Sequence, residues 1–127
     1  MGYVVTSSFF EYVKKDLQGL PERGKPVNVN PLLRARVKKV SPEELHANPD
    51  DEFSMDTIGP NDSIISNYCQ IARREYSLSE AVYDEPIIVN KLERDGYLIL
   101  NGHHRWAGAI MAHVPKVRIA IVNPGRR

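Results

Sequence analysis

The fold is decided by residues 97–112, whose sequence is YLILNGHHRWAGAIMA. The first four residues are apolar and predict a strand, while the small and apolar residues from Trp106 onward predict a helix. The Asn-Gly pair between them predicts a tight turn. A strand that passes directly into a helix brings free backbone N–H groups and the positive end of the helix dipole to one place, here residues 101–105.

That junction suits a phosphate group. Gly102 lets the backbone approach an anion closely, and His103, His104 and Arg105 add donors and at least one fixed positive charge. Two other interpretations stay open: a plain turn with a solvated helix start, and a metal site built on the histidines. Adjacent histidines point in different directions, and neither of the other two histidines stands at a short ligand spacing, which disfavours the metal.

The flanking segments supply the other elements of a small domain. Residues 86–89 form an apolar run typical of a covered strand, and residues 117–122 predict a final strand. A helix is predicted over 9–17, opened by a capping box of Ser8 and Glu11. A second helix is predicted over 63–76, with a buried face made of Ile64, Ile65, Tyr68, Ile71 and Ala72. These elements predict the α/β (α+β) class, with a small mixed sheet packed against helices.

Composition sets the broad class. A chain of 127 residues with 42% hydrophobic residues can build one core, and a single cysteine, Cys69, excludes a disulfide framework or a multi-cysteine zinc cage. No run approaches the roughly 18 apolar residues of a membrane-spanning helix, and the N-terminus lacks the pattern of a secretory signal. We therefore expect a cytoplasmic protein with no membrane partner.

The net charge of +1 hides an uneven distribution. Residues 1–39 carry eight basic and three acidic residues, residues 40–72 carry seven acidic and no basic ones, and the remainder is mildly basic. Alternation of apolar and basic residues over 33–38 predicts a strand with one basic face. The basic residues there are Arg34, Arg36, Lys38 and Lys39. They suit either a face for DNA or an acidic partner, or an edge strand protected from aggregation by charge, which we favour.

The acidic block contains a turn of chemical interest. Ser41 and Pro42 predict a capped helical turn, and Asn48-Pro49 then forces a second turn that is followed by three carboxylates. These carboxylates are Asp50, Asp51 and Glu52. A solvated turn is the plain interpretation of such a run, and a magnesium or base site is the functional one.

These segments together resemble the ParB/sulfiredoxin-like superfamily. The resemblance rests on residues 85–89 and 96–109, on residues 41–45 with Asn48-Pro49, and on the helix over 64–73. It covers about residues 37–122, and its most specific part is the Gly-His-His-Arg loop. It divides the chain into an N-terminal helix and linker extension, 1–36, and a ParB/sulfiredoxin-like domain, 37–127. Residues 1–36 could also supply a homodimer contact.

The resemblance implies that the loop from Asn101 to Arg105 holds the phosphates of a nucleotide, with Asn48 beside it. Members of the superfamily include CTP-dependent DNA clamps, sulfiredoxins and free serine kinases. Sulfiredoxin activity requires a cysteine where this chain has His103, and a clamp requires further domains that do not follow residue 127 in this sequence. The kinases have Asp-Gly-His-His-Arg, so Asn101 is a departure that affects magnesium or acceptor binding and leaves phosphate binding intact.

We therefore expect a nucleotide-binding domain that takes ATP or another NTP with Mg²⁺ and catalyses NTP hydrolysis or phosphotransfer to a small molecule. Arg105 and His104 would neutralise phosphate charge. Asp51 and Glu52 would hold magnesium or act as the base, and Glu52 is favoured because Phe53 beside it would partly bury its carboxylate. The alternative is a non-catalytic or nuclease-like ParB-type module that binds DNA or a partner through the basic residues of 34–39.

Overall fold

The computed structural model describes residues 7–78 and 80–125 of the chain. Its helices are α1 (Phe9–Gly19), α2 (Pro31–Arg34), α3 (Asp62–Tyr76) and α4 (His103–Ala112). Its strands are β1 (Pro26–Val27), β2 (Val37–Val40), β3 (Leu45–His46), β4 (Val82–Leu92), β5 (Tyr97–Asn101) and β6 (Val117–Ile121). Short 3-10 helices span Leu20–Arg23, Pro42–Glu44 and Glu52–Ser54.

The strands form one mixed sheet, as predicted. The order across the sheet is β2-β6-β4-β5-β3, and β1 pairs with β4 outside this path. The β4–β6 and β3–β5 pairs are parallel, whereas β2–β6 and β4–β5 are antiparallel. Because β4 lies in the middle of the sheet, its residues Ile87 and Val89 are fully buried, in keeping with the apolar run that predicted the strand.

One hydrophobic cluster joins the sheet to α1, α3 and α4. Trp106 is fully buried in it, and its indole N–H donates to the Pro42 carbonyl at 2.9 Å, which satisfies the only polar atom of that side chain. Cys69 is buried as a small core residue of α3. In the described part of the chain, no helix is long and apolar enough to span a membrane.

Three local predictions were wrong. Ser8 makes no cap because its own backbone is helical, and Ser7 Oγ instead accepts the N–H of Phe9 at 3.2 Å. The strand predicted over 33–38 begins only at residue 37, since Asn30 and Pro31 start the short helix α2 immediately before it. Ile64 was expected on the buried face of α3, but its side chain is 41% exposed.

Helices α3 and α4 pack with almost no space between their backbones at Gly108. A Cβ atom placed there would lie 2.6 Å from Tyr68 Cβ and 2.8 Å from the Cys69 backbone nitrogen. Glycine at this position therefore permits the close approach that seats α4, and with it the loop at residues 101–105, against the core.

We expect Gly108→Ala to destabilise the protein by about 1–3 kcal/mol, because the added methyl group must push two helix backbones apart. The matched control is Gly19→Ala, at the end of α1, where a Cβ would meet no atom within 4 Å. That change should be neutral or stabilising by about 0.5–1 kcal/mol. Urea denaturation of both variants gives the comparison, and equal effects would contradict the packing argument.

Candidate functional site

A cleft of about 480 Å³ opens at the N-terminus of α4. Its volume falls in the range of about 300–1,000 Å³ that small-molecule sites occupy. It is lined by Asp51, Ile64, Tyr68, Glu85, Leu100, Asn101, Gly102, His103, His104 and Arg105. All five residues of the loop singled out from the sequence therefore lie in its wall.

Gly102 starts the helix and shapes the floor of the cleft. Its φ of 110° is left-handed, a conformation that residues with a side chain rarely adopt, and a Cβ there would lie 3.0 Å from Arg105 Nη2. The first helical hydrogen bond of α4 runs from the Trp106 N–H to the Gly102 carbonyl at 2.9 Å. The N–H groups of residues 103–105 precede that bond and have no acceptor within the helix.

Arg105 is the fixed positive charge of the cleft. Its Nη1 donates to the carbonyls of Glu85 and Pro86 at 2.8 and 3.2 Å, and its Nη2 lies 3.4 Å from Asn101 Oδ1. Arg105 as a whole is only 9% exposed, and it still forms part of the cleft wall. Arg105 thus fastens α4 to β4 while its charge stays at the site.

His103 is a neutral hydrogen-bond acceptor. Its Nε2 accepts the backbone N–H of Asn48 at 3.0 Å, and since an amide can only donate, the ring proton must be on Nδ1. Nδ1 lies 3.6 Å from Asp51 Oδ2. Burial lowers the pKa of His103 to about 4, against the opposing influence of the Asp51 carboxylate.

His104 is likewise a hydrogen-bond acceptor for a backbone N–H group. Its Nε2 accepts the N–H of Asn61 at 3.1 Å, and burial lowers its pKa. Each histidine therefore ties α4 to a separate turn, one beginning at residue 48 and one preceding α3. The expected role of His104 in neutralising phosphate charge stays a prediction, and in this structure its Nε2 is a hydrogen-bond acceptor.

The acidic turn separates the two carboxylates favoured from the sequence. Asp51 lies in the cleft wall, whereas Glu52 is exposed and outside it. The expected partial burial of Glu52 by Phe53 was wrong, because Phe53 turns into the core. Its ring centroid lies 5.2 Å from that of His103 and 4.9 Å from that of His104.

Four residues of the cleft wall were not among the site residues predicted from the sequence: Ile64, Tyr68, Glu85 and Leu100. Glu85 reaches the cleft because β4 is irregular between Val82 and Ile87, where its register with β6 shifts. Tyr83 within that bulge has a φ of 67°. The sequence offered one signal for Glu85, which is its position immediately before the apolar run of residues 86–89. The bulge that directs its side chain to the cleft depends on packing and could not be predicted.

The charges of the wall do not favour a bare anion. Two carboxylates, Asp51 and Glu85, stand against one guanidinium, and both histidines are neutral near pH 7. Among the described residues, no group of three or more histidine, cysteine and acidic side chains is arranged to hold a metal ion by itself. A cation at this site would therefore need ligands from the bound molecule as well.

The basic residues at 34–39 do not form one continuous face. Arg34 and Arg36 are exposed before β2, at the sheet edge. Lys38 Nζ lies 3.1 Å from the hydroxyl of Tyr97, and Lys39 pairs with Glu80 at 2.7 Å. The edge position of β2 agrees with the edge-strand interpretation.

Comparison with known proteins identifies the family. The model of the ParB N-terminal domain matches residues 30–127, so the chain belongs to that family. A solved structure with the same fold is the C-terminally truncated chromosome-partitioning protein ParB from Caulobacter crescentus complexed with CTP-gamma-S. It is 21% identical, the TM-score is 0.55, and the alignment covers 71% of this chain and 46% of that one. This chain thus spans about half the length of that ParB. No curated protein matches the chain.

The family and the shared fold confirm the ParB-like resemblance and the mixed α/β architecture predicted from the sequence. The structure brings Asp51 and the loop at 101–105 together in one cleft and leaves Glu52 outside it. Asn48 supports that cleft through its backbone N–H, and its Oδ1 accepts the N–H of Asp50 within the turn.

The depressed pKa of His103 predicts a pH dependence of stability. Its ordinary pKa is 6.5 and its folded pKa is about 4, so between these values the unfolded chain binds more protons. The contribution of His103 is complete above pH 6.5 and is lost as the pH falls towards 4. We expect His103→Gln, whose Oε1 can still accept the Asn48 N–H, to reduce the slope of stability against pH in this window, by up to about 1.4 kcal/mol per pH unit. Urea denaturation between pH 7 and 4.5 measures both slopes, and identical slopes would count against a buried neutral His103.

Proposed function

We propose that the cleft at the N-terminus of α4 binds the phosphate groups of a nucleoside triphosphate. The observation that carries this proposal is that residues 103–105, whose N–H groups have no acceptor within α4, line a cleft of about 480 Å³ beside the left-handed Gly102. Such N–H groups, with the helix dipole, favour an anion. The ParB structure of the same fold, complexed with CTP-gamma-S, supports a nucleotide as the ligand.

The rest of the wall suits the remainder of a nucleotide. Arg105 supplies positive charge beside the phosphates, and Asn101, which contacts it, offers an amide at the strand end. Ile64 and Leu100 give the same cleft two exposed apolar side chains that could contact a base or a ribose. In this proposal Asn48 does not contact the nucleotide itself, and it supports the turn that carries Asp51.

The proposal includes Mg²⁺ because the wall has more negative than positive charge. A polyphosphate would meet the carboxylates of Asp51 and Glu85, and only a cation that arrives with it would turn both into favourable neighbours. Carboxylate oxygens are hard ligands of the kind that Mg²⁺ takes together with phosphate oxygens. Asp51 is the preferred protein ligand of the two residues named from the sequence, since Glu52 lies outside the cleft. A bound Mg²⁺ would neutralise phosphate charge during phosphoryl transfer.

Catalysis is a further step of the same proposal. NTP hydrolysis or phosphotransfer to a small acceptor needs a carboxylate near the attacking oxygen, and Asp51 is the residue that we assign to this role.

ATP and CTP are both retained as candidate nucleotides. The division of the chain after residue 36, a homodimer and a cytoplasmic location stay predictions.

Titration calorimetry of the full chain with CTP and ATP, each with Mg²⁺ and with EDTA, tests the binding proposal. Asp51→Asn should weaken Mg²⁺-dependent binding about tenfold, because one oxygen ligand and one charge are lost. The same variant should bind the metal-free nucleotide at least as well as the wild type, because a repulsive charge is gone.

The matched control is Asp50→Asn, which removes the neighbouring exposed carboxylate that is not part of the cleft wall. It should behave as the wild type does. A wild-type protein that binds neither nucleotide would refute the proposed function. Equal effects of the two variants would refute the assignment of Asp51.

The second candidate function is binding of duplex DNA or an acidic partner, which the exposed Arg34 and Arg36 favour. We expect any such binding to weaken steeply with salt, and the double variant Arg34→Gln, Arg36→Gln to reduce the salt slope by about two. The control pair is Arg73→Gln, Arg74→Gln on exposed positions of α3. Fluorescence anisotropy with a labelled duplex measures both, and absence of binding at low salt would exclude DNA as the partner.

A further inference from the structure

A carboxylate that lies outside the family-matched region binds the segment that leads to the cleft. Asp16 belongs to α1, upstream of residues 30–127, and its side chain is only 13% exposed. Its Oδ1 lies 2.6 Å from His46 Nδ1, and its Oδ2 accepts the N–H of Ala47 at 2.7 Å. Both oxygens of a largely buried carboxylate thus bind one dipeptide at the end of β3, which offsets the cost of removing its charge from water.

Asn48, the next residue along the chain, is bound to a residue of the cleft wall. The N–H of Asn48 donates to His103 Nε2 at 3.0 Å, so two successive backbone amides are bound to two different helices. The Asn48 carbonyl in turn accepts the N–H of Asp51 at 3.1 Å and the hydroxyl of Ser54 at 2.7 Å. Fixing residues 47 and 48 therefore fixes the turn that carries Asp51 into the cleft.

Helix α1 is anchored independently of Asp16. Phe9, Phe10 and Val13 are buried in the core, and the Phe9 ring lies 5.6 Å from Trp106 and 6.2 Å from Phe53, centroid to centroid. Removal of the Asp16 carboxylate should consequently leave α1 in place and release only the turn. The helix acts as a rigid support from which one side chain reaches the site.

We infer that Asp16 is a positioning residue that holds the turn of residues 48–51 against His103 of α4 and so sets the geometry of the cleft. Asp16 is not part of the cleft wall and touches no ligand in this scheme. As far as ligand binding is concerned, the inference rests on the proposed function, whereas its structural part stands on the contacts of Asp16, Ala47 and Asn48.

Amide hydrogen exchange followed by NMR on the full chain tests the structural part. In Asp16→Ala the Asn48 amide should exchange at least about tenfold faster relative to the core amides of Ile99 and Ile119. Asp16→Asn, which keeps an oxygen for the Ala47 N–H, should show a smaller increase and serves if the alanine variant unfolds. The control Glu11→Gln removes one charge from the same helix at a surface pair with Lys14, and it should match the wild type.

Titration of the same variants with Mg²⁺ and CTP tests the link to the cleft. We expect the dissociation constant to rise about tenfold in Asp16→Ala, less in Asp16→Asn and not at all in Glu11→Gln. Unchanged Asn48 exchange, or equal acceleration of all amides, would overturn the inference, as would faster exchange without weaker binding. A wild-type protein that binds no nucleotide would refute the proposed function, and the exchange measurement would then decide the role of Asp16 alone.

Discussion

The shape of the cleft depends on two neutral imidazoles that accept backbone hydrogen bonds. His103 receives the N–H of Asn48 and His104 receives the N–H of Asn61, so both turns beside the cleft are joined to one helix start. A protonated ring has no free lone pair for either bond. Phe53 packs against both rings, of which His103 is buried and His104 half-buried, and this packing is therefore part of the architecture of the site. Positive charge at the helix start comes from Arg105 and the backbone.

The irregular part of β4, which contributes Glu85 to the cleft wall, contains a strained residue. Tyr83 adopts a left-handed conformation, which costs on the order of 1–2 kcal/mol for a residue with a side chain. Its N–H donates to Glu75 Oε1 at 2.8 Å and its ring is buried, and these contacts offset the strain. Within the same irregular stretch, the carbonyls of Glu85 and Pro86 accept hydrogen bonds from Arg105. The irregular part of β4 thus connects α3 to the start of α4.

The small net charge arises from local compensation at distinct places. At the cleft, the carboxylates of Asp51 and Glu85 lie in the same wall as the guanidinium of Arg105. At the far edge of the sheet, Lys39 pairs with Glu80, and Arg34 and Arg36 are exposed just before β2. Average charge consequently says little about either surface.

By itself, the sequence determined the strand, the turn at Asn101-Gly102 and the helix over 97–112, because apolar periodicity and turn chemistry act between near neighbours. Tertiary structure decided what the side chains do there. It made the histidines acceptors, brought Glu85 into the cleft, left Glu52 outside and exposed Ile64. Each of these outcomes depends on contacts between segments far apart in the chain, such as residues 48 and 103, and on the burial that such contacts create.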